Sequence, residues 1–378
     1  MTFYNWVDKE AYMNILVASD SFKGTLSSEA VGQIVKEVLI HDQVDVVSIS
    51  DGGEGVIEAL KNKINGKRIK IEIKDPLGRM IEGYYLLTDQ GEAVIESAVA
   101  CGLSLLGDDE RNPLLTSSYG LGMMIDDALK RGAKHFVIGI GGTSTNDGGL
   151  GMLEALGVKF YDDKDSLMTD LSGKDLKWVA RFEADDFIRR LQDVRVEVAC
   201  DVDNPLLGDH GATYTFSPQK GATPDMCHLL EEGMVRYADV VSHVFGSKHE
   251  LAGSGAAGGL GFCFVTFFSG ILKSGIDLVL DALSFDDLIK KYDLVITGEG
   301  KIDSQTSRGK VLSGILNRTS RQKIRTIAIC GIMETDVTDF EKVFSVVPTV
   351  SGIDESLRDP ETSLRKLIEE HVKSWLTK

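Results

Sequence analysis

Short apolar runs rich in β-branched residues recur along the chain, each ending near a glycine or an acid and giving way to a polar, glycine-rich stretch and then a helical pattern. Parallel strands of an α/β sheet read this way. The clearest runs are Asn14 to Ala18, Val44 to Ile49, His135 to Ile140, Asp293 to Thr297 and Arg325 to Ile329. The stretches that follow are Ser19 to Gly24, Asp51 to Gly55, Gly141 to Gly149, Gly298 to Asp303 and Gly331. In open α/β sheets ligands bind beyond the carboxyl ends of the strands, so these loops are expected to converge on one crevice that holds the active site.

Two regions break that rhythm. Ile69 to Ile73 and Gly83 to Leu87 alternate apolar and polar residues around the turn Asp75-Pro76-Leu77-Gly78-Arg79, which predicts an antiparallel hairpin. Residues 161–284 mix a polar helical stretch, a strand at Val194 to Ala199 and glycine-rich loops. With 378 residues, two domains are expected. The predicted fold class is α/β: a Rossmann-like, mostly parallel domain over 13–69, 113–160 and 285–378, with a second α/β domain, 70–112 and 161–284, inserted into it.

Charge narrows the partners. Forty-one basic against 58 acidic residues give a net charge of −17, a field that repels nucleic-acid backbones and anionic lipid surfaces. Cys101, Cys200, Cys227, Cys263 and Cys330 form no CxxC pair and are read as thiols of a reducing, cytoplasmic protein. Met1 to Tyr12 lacks the basic and apolar regions of a signal peptide, and the apolar run Leu260 to Leu272 is too short to span a bilayer. Forty glycines beside 7 prolines point to tight turns and ligand-facing loops.

No P-loop, GxSxG, HExxH or protein-kinase signature is present. Gly253-Ser254-Gly255-Ala256-Ala257-Gly258 matches GxGxxG, but the polar segment before it is not a strand, so a packed turn is expected there. Asp20, Ser21, Lys23 and Thr25 before a helix start suit an anion. Gly141 to Gly149 offers hydroxyls, an amide and the carboxylate of Asp147. Gly298-Glu299-Gly300 with Arg308 and Lys310 mixes acids for metal or hydroxyl contacts with cations for phosphate oxygens. Phosphoryl transfer asks for this mixture, because its catalysis is mostly positioning and neutralising spread negative charge.

These motifs, together with Asp75-Pro76-Leu77-Gly78-Arg79, Asp201-Val202, Asn204-Pro205-Leu206, Pro218-Gln219-Lys220-Gly221-Ala222 and Gly253 to Gly261, occur in the order seen in the type I glycerate kinase family, which the chain resembles from Met13 to its C-terminal region. Met13 sits where family members usually start, so residues 1–12 are expected to be an extension. Ser19, Thr143-Ser144 and Lys301 depart from the common residues without removing a charge. The resemblance implies phosphorylation of D-glycerate that depends on ATP and Mg²⁺, with the 2-hydroxyl as acceptor, and a two-domain architecture whose cleft closes on substrate.

Laid on those motifs, Asp20, Asp51, Asp201 and Lys23 are the candidate catalytic residues, since an acceptor alcohol must lose its proton as it attacks. Ser21, Arg79, Asn204 and Lys220 are candidates for substrate binding. Gly141, Gly142, Ser144, Asn146, Asp147, Gly298, Glu299, Gly300 and Lys310 are candidates for the nucleotide, and Asp51 and Glu299 for the metal. Which carboxylate acts as base stays open, as does monomer or homodimer. A dinucleotide-dependent oxidoreductase using the Gly253 loop and a non-catalytic carboxylate-binding protein are the competing classes; nicotinamide dependence or binding without ATP consumption would distinguish them.

Overall fold

The computed structural model describes residues 12–22, 25–49, 66–302, 310–335 and 339–377. The chain divides into two units, Met1–Asp51 with Val279–Lys378, and Gly52–Leu278, so the second is a continuous segment between the two parts of the first.

In the first unit β1 (Asn14–Val17), β2 (Gln43–Val46), β12 (Leu294–Ile302), β13 (Arg325–Met333) and β14 (Lys342–Ser345) form one sheet in the order β14-β13-β12-β1-β2. Every neighbouring pair is parallel. The central strands are apolar along β1 and the first half of β12, and along β13 from Ile327 to Cys330, because both faces are covered. Ile15, Val17, Ile296 and Ile329 pack with Val31, Ile34 and Val35 of the helix Ser28–Val38 and with Leu364 and Leu367 of the helix Pro360–Leu367. Ala328 and Cys330, offset by one residue and so facing the other way, pack with Leu312 of the helix Lys310–Arg321. Burying each such aliphatic side chain contributes roughly 1.5–3 kcal/mol. Ser27 starts the helix Ser28–Val38 by accepting the amide of Ala30 at 3.1 Å, with Glu29 in the first turn favoured by the helix dipole.

The strand order has a functional consequence. The chain moves from β1 to β2 in one direction, and from β12 through β13 to β14 in the other, so the switch point of the sheet lies between β1 and β12. The expected loop at Gly298 to Asp303 is partly strand. β12 runs on to Ile302 because β13 is equally long and continues the ladder, pairing Gly298 with Ile329 and Ile302 with Met333.

The second unit holds a six-stranded sheet in the order β11-β10-β6-β5-β4-β3. The predicted hairpin is present as β3 (Gly66–Lys74) and β4 (Met80–Thr88), antiparallel, with Asp75 Oδ1 closing the turn on the amides of Leu77 and Arg79, each at 2.9 Å. β5 (Glu92–Glu96), β6 (His135–Gly139), β10 (Arg195–Ala199) and β11 (Ile271–Lys273) are parallel to one another. A small antiparallel sheet joins β7 (Lys159–Tyr161), β8 (Leu167–Met168) and β9 (Arg181–Glu183).

This arrangement corrects the expected boundaries. Residues 113–160 were expected in the first domain, but β6 pairs with β5 and β10 in the second unit's sheet, and the helix Tyr119–Lys130 packs into the same core through Leu121, Met124 and Ile125. A parallel strand followed by a glycine-rich loop reads alike in either sheet; only its hydrogen-bonding neighbours assign it. The five cysteines are all free thiols. Among the described residues no helix is long and apolar enough to cross a membrane.

Candidate active site

In the first unit, Asp20 follows the end of β1 at the sheet's switch point. Its amide donates to the carbonyl of Gly298 at 2.8 Å, which sets the Asp20 backbone beside the residue preceding Glu299. Asp20 is buried and its Oδ1 accepts the amide of Ser21 at 2.7 Å. Ser19 Oγ donates to the Gly298 carbonyl at 3.0 Å. Ser28 Oγ donates to the Ser19 carbonyl at 2.6 Å and accepts the amide of Ile49 at 3.2 Å, so one hydroxyl joins the loops after β1 and β2.

Gly298 is required by close approach: a Cβ there would lie 2.4 Å from the Ile329 carbonyl and 3.1 Å from Ser19 Oγ. The structure therefore brings Asp20 and Ser21, just past the end of β1, beside the Gly298-Glu299-Gly300 stretch of β12. Lys23 and Asp51 lie outside the described residues, as does the side chain of Lys310.

In the second unit the stretch after β6 turns inward. Gly141 and Gly142 are exposed, whereas Thr143 to Gly149 are buried. Asp147 is fully enclosed. Its carboxylate accepts the amide and hydroxyl of Ser118 at 2.8 and 2.7 Å, the amide of Gly149 at 3.1 Å and that of Gly151 at 3.3 Å. Burial pushes its carboxyl above the ordinary range even though these donors oppose the shift. These donors make the Asp147 carboxylate shape its own loop. Ser144 is similarly engaged, donating from its amide and hydroxyl to the Cys101 carbonyl at 2.7 and 2.9 Å.

Lys220, on the short helical turn Pro218–Lys220, is buried, and its Nζ donates to the Thr145 carbonyl at 2.7 Å, with Thr143 Oγ1 at 3.5 Å. Burial lowers its pKa to about 8, partly offset by the negative charge of Asp147. Three polar atoms around this loop, Thr145 Oγ1, Asn146 Oδ1 and Ser217 Oγ, are buried with no hydrogen-bond partner among the described residues. Unmet groups of this kind suit a ligand carrying hydroxyl and carboxylate groups.

The GxGxxG stretch has a packing role. Residues 246–252 form turns and irregular backbone, not the strand a dinucleotide fingerprint needs. Gly258, at φ +67, presses on the loop so closely that a Cβ would lie 2.1 Å from the Thr145 carbonyl, and its own carbonyl accepts the Gly148 amide at 3.0 Å.

The remaining candidates are tied within the second unit. Arg79 Nε pairs with Asp75 of its own turn at 2.5 Å and its Nη1 with Glu110 of the helical turn Asp108–Glu110 at 2.6 Å, so its charge is met inside the second unit. Asn204 Nδ2 donates to the His210 carbonyl at 2.8 Å. Asp201 Oδ1 accepts the Gly275 amide at 2.9 Å, at the start of the helix Gly275–Ala282. Sequence reasoning missed Ser118, Thr213 and Glu231. Thr213 and Glu231 lie on the buried faces of helices and Ser118 directly precedes one, and such positions become visible only once those faces are known.

Comparison with known proteins shows the family. A sequence model described as the glycerate kinase family matches residues 15–376. The chain is 41% identical to a protein named glycerate kinase from Bacillus subtilis (strain 168), over 89% of this chain and 91% of that one. It is 38% identical to one named glycerate 2-kinase from Escherichia coli (strain K12), over 92% and 93% of the two chains. A crystal structure described as glycerate kinase 2 from Salmonella typhimurium LT2 superposes with a TM-score of 0.82 at 37% identity, covering 96% of this chain and 98% of the other. The chain belongs to the glycerate kinase family and is a kinase that transfers phosphate to an alcohol group.

Proposed function

We propose that this chain transfers the γ-phosphoryl group of ATP to the 2-hydroxyl of D-glycerate, giving 2-phospho-D-glycerate and ADP. The observation that carries this reading is the match to proteins named glycerate kinase over nearly the whole chain. The acceptor hydroxyl loses a proton as its oxygen attacks the phosphorus, and one of Asp20, Asp51 and Asp201 accepts it.

Carboxylate oxygens are the donors Mg²⁺ prefers, and Asp20 and Glu299 at the switch point fit that chemistry, although the described residues contain no group of three or more such side chains. Asp20 and Glu299, with Asp51, would hold the ion, which when bound neutralises phosphate charge. Lys23, Lys310 and Ser21 meet the phosphoryl oxygens or the glycerate carboxylate. Gly141, Gly142 and Gly300 allow close backbone approach to the nucleotide, and Lys220 acts from beneath by holding the Thr145 carbonyl.

A coupled ADP assay with D-glycerate, ATP and Mg²⁺, controlled with L-glycerate, lactate and metal-free buffer, tests the reading, with ³¹P NMR of the product. Turnover confined to D-glycerate with phosphorus on C2 is expected. ADP formation at background level with D-glycerate would remove the proposed substrate.

A further inference from the structure

Residues 143–147 spend most of their polar atoms on their own chain. The Ser144 amide and hydroxyl donate to the Cys101 carbonyl, and the Ser144 carbonyl accepts Thr116 Oγ1 at 3.0 Å. The Thr145 carbonyl accepts Lys220 Nζ at 2.7 Å, Asn146 Nδ2 donates to Thr213 Oγ1 at 3.3 Å, and the Asp147 carboxylate takes the four donors already described. Two side-chain atoms of the loop are left over, Thr145 Oγ1 and Asn146 Oδ1, and a third, Ser217 Oγ, belongs to the helix that meets it. All three residues are fully buried.

The hydrogen bonds gather these atoms in one place. Thr213 and Ser217 lie four residues apart at the helix Ala212–Phe216 and its end, where the Ser217 amide donates to the Thr213 carbonyl at 3.0 Å, so both side chains share the face that meets Asn146. The Lys220 amide donates to the Ser217 carbonyl at 3.0 Å, and its ammonium reaches the residue before Asn146. Of the three N–H groups of that ammonium, the Thr145 carbonyl takes one and Thr143 Oγ1, at 3.5 Å, a second; the third has no partner among the described residues.

The unmet atoms select their ligand. An amide oxygen only accepts, so whatever meets Asn146 Oδ1 carries a donor, which a fully ionised phosphate lacks. Two hydroxyls and an ammonium N–H suit a carboxylate. No solvent reaches the three oxygens, which favours a small molecule. We infer that Thr145, Asn146, Ser217 and Lys220 form the subsite for the acid substrate: the two hydroxyls and the ammonium grip its carboxylate, and Asn146 Oδ1 accepts from the hydroxyl that is not phosphorylated. The reacting hydroxyl is excluded because its proton passes to a basic carboxylate. The inference rests on the proposed function for the identity of the acid, D-glycerate, and leaves Ser21, Lys23 and Lys310 to the phosphoryl oxygens.

Stability separates this role from simple support. A buried hydroxyl without a partner costs folding energy that an apolar group of the same shape does not. Thr145→Val and Ser217→Ala should therefore hold or raise stability while weakening the acid. A hydroxyl kept to bind an interior water would do the reverse.

The experiment measures kcat and KM of the full chain for D-glycerate and ATP in the wild type, T145V and S217A, with urea unfolding of each and the rise in melting temperature that D-glycerate produces in the presence of MgADP. KM for D-glycerate is expected to rise roughly ten- to hundredfold in each variant, with KM for ATP unchanged, unfolding midpoints equal or higher, and a smaller rise in melting temperature. D-lactate, which lacks the 3-hydroxyl, should stabilise the wild type less than D-glycerate does. An unchanged KM for D-glycerate, an equal rise in KM for ATP, or lower unfolding midpoints with KM unchanged would overturn the proposal. So would a wild type that D-glycerate does not stabilise. A wild type that is stabilised by D-glycerate but does not phosphorylate it overturns the functional reading instead, and the melting shifts then decide the subsite: shifts as large in T145V and S217A as in the wild type refute it, and diminished ones uphold it.

Discussion

Lys220 Nζ and the backbone carbonyl of Thr145 meet at 2.7 Å in the interior of the second unit, so a buried cation holds the one loop in which hydroxyls, an amide and a carboxylate follow one another without a break. Asp147, two residues on, has its acceptors filled by Ser118, Gly149 and Gly151. The loop is shaped from both sides by ionisable groups that solvent does not reach.

The buried ammonium makes stability depend on pH. Lys220 has a pKa of about 8 in the folded protein against about 10.4 when unfolded. The unfolded chain therefore binds more protons between these values, and this group's contribution to stability rises with pH across that window, by up to about 3 kcal/mol. Urea unfolding of wild type and Lys220→Met from about pH 7.5 to 10 should show the wild type gaining on the variant. A difference that does not change with pH would show that the ammonium is hydrated.

Asp147→Asn should cost about 2–4 kcal/mol, because its NH₂ group would face amide and hydroxyl donors in a closed space. Gly258→Ala should cost about 1–3 kcal/mol, since its backbone conformation and its distance to Thr145 both exclude a methyl group. Denaturant midpoints with unchanged slopes would check both, and near-wild-type midpoints would contradict the packing described.

Asp20→Asn and Glu299→Gln remove charge at the switch point while keeping shape. Asp20→Asn is expected to lower kcat about 10²–10⁴-fold if Asp20 is the base. Glu299→Gln is expected to raise the Mg²⁺ concentration needed for half-maximal rate. Steady-state kinetics with the metal titrated separates the two. Full kcat in D20N would leave proton acceptance to Asp51 or Asp201.

His135 offers a control away from the candidate site. Its Nδ1 lies 2.7 Å from Glu92 and its Nε2 3.2 Å from Glu197, and the hydrogen bond to Glu92 is the largest cause of its raised pKa. The stabilisation is fully present below the unfolded value of about 6.5 and is lost as pH rises through the folded value. The Tm advantage of wild type over His135→Gln should be greatest near pH 5.5 to 6 and shrink toward about pH 8.5. An advantage that grew with pH would refute the pairing.

Much of this was legible along the chain. Apolar β-branched runs at β1, β6, β12 and β13 marked parallel strands because a strand covered on both faces has no polar side to display. The hairpin followed from alternation around Asp75. The segments that carry Asp20 and Glu299 were identifiable from their glycines and acids, although the second is strand rather than the expected loop, and the ordered motifs sufficed to name the family.

What the linear order could not decide was partnership. Whether β6 joins the first sheet or the second depends on hydrogen bonds to β5 and β10, which leave no trace in its own residues. Asp147 and Glu299 look alike as carboxylates along the chain, yet one is enclosed among four donors of the second unit while the other lies on a strand beside the switch point. Glu231 and Thr213 carry no motif at all. Residue type sets what a side chain can donate, accept or ionise, and these are properties of the sequence by itself. Which partner meets it, and how much water remains, is set by segments distant in the chain that only the tertiary structure brings together.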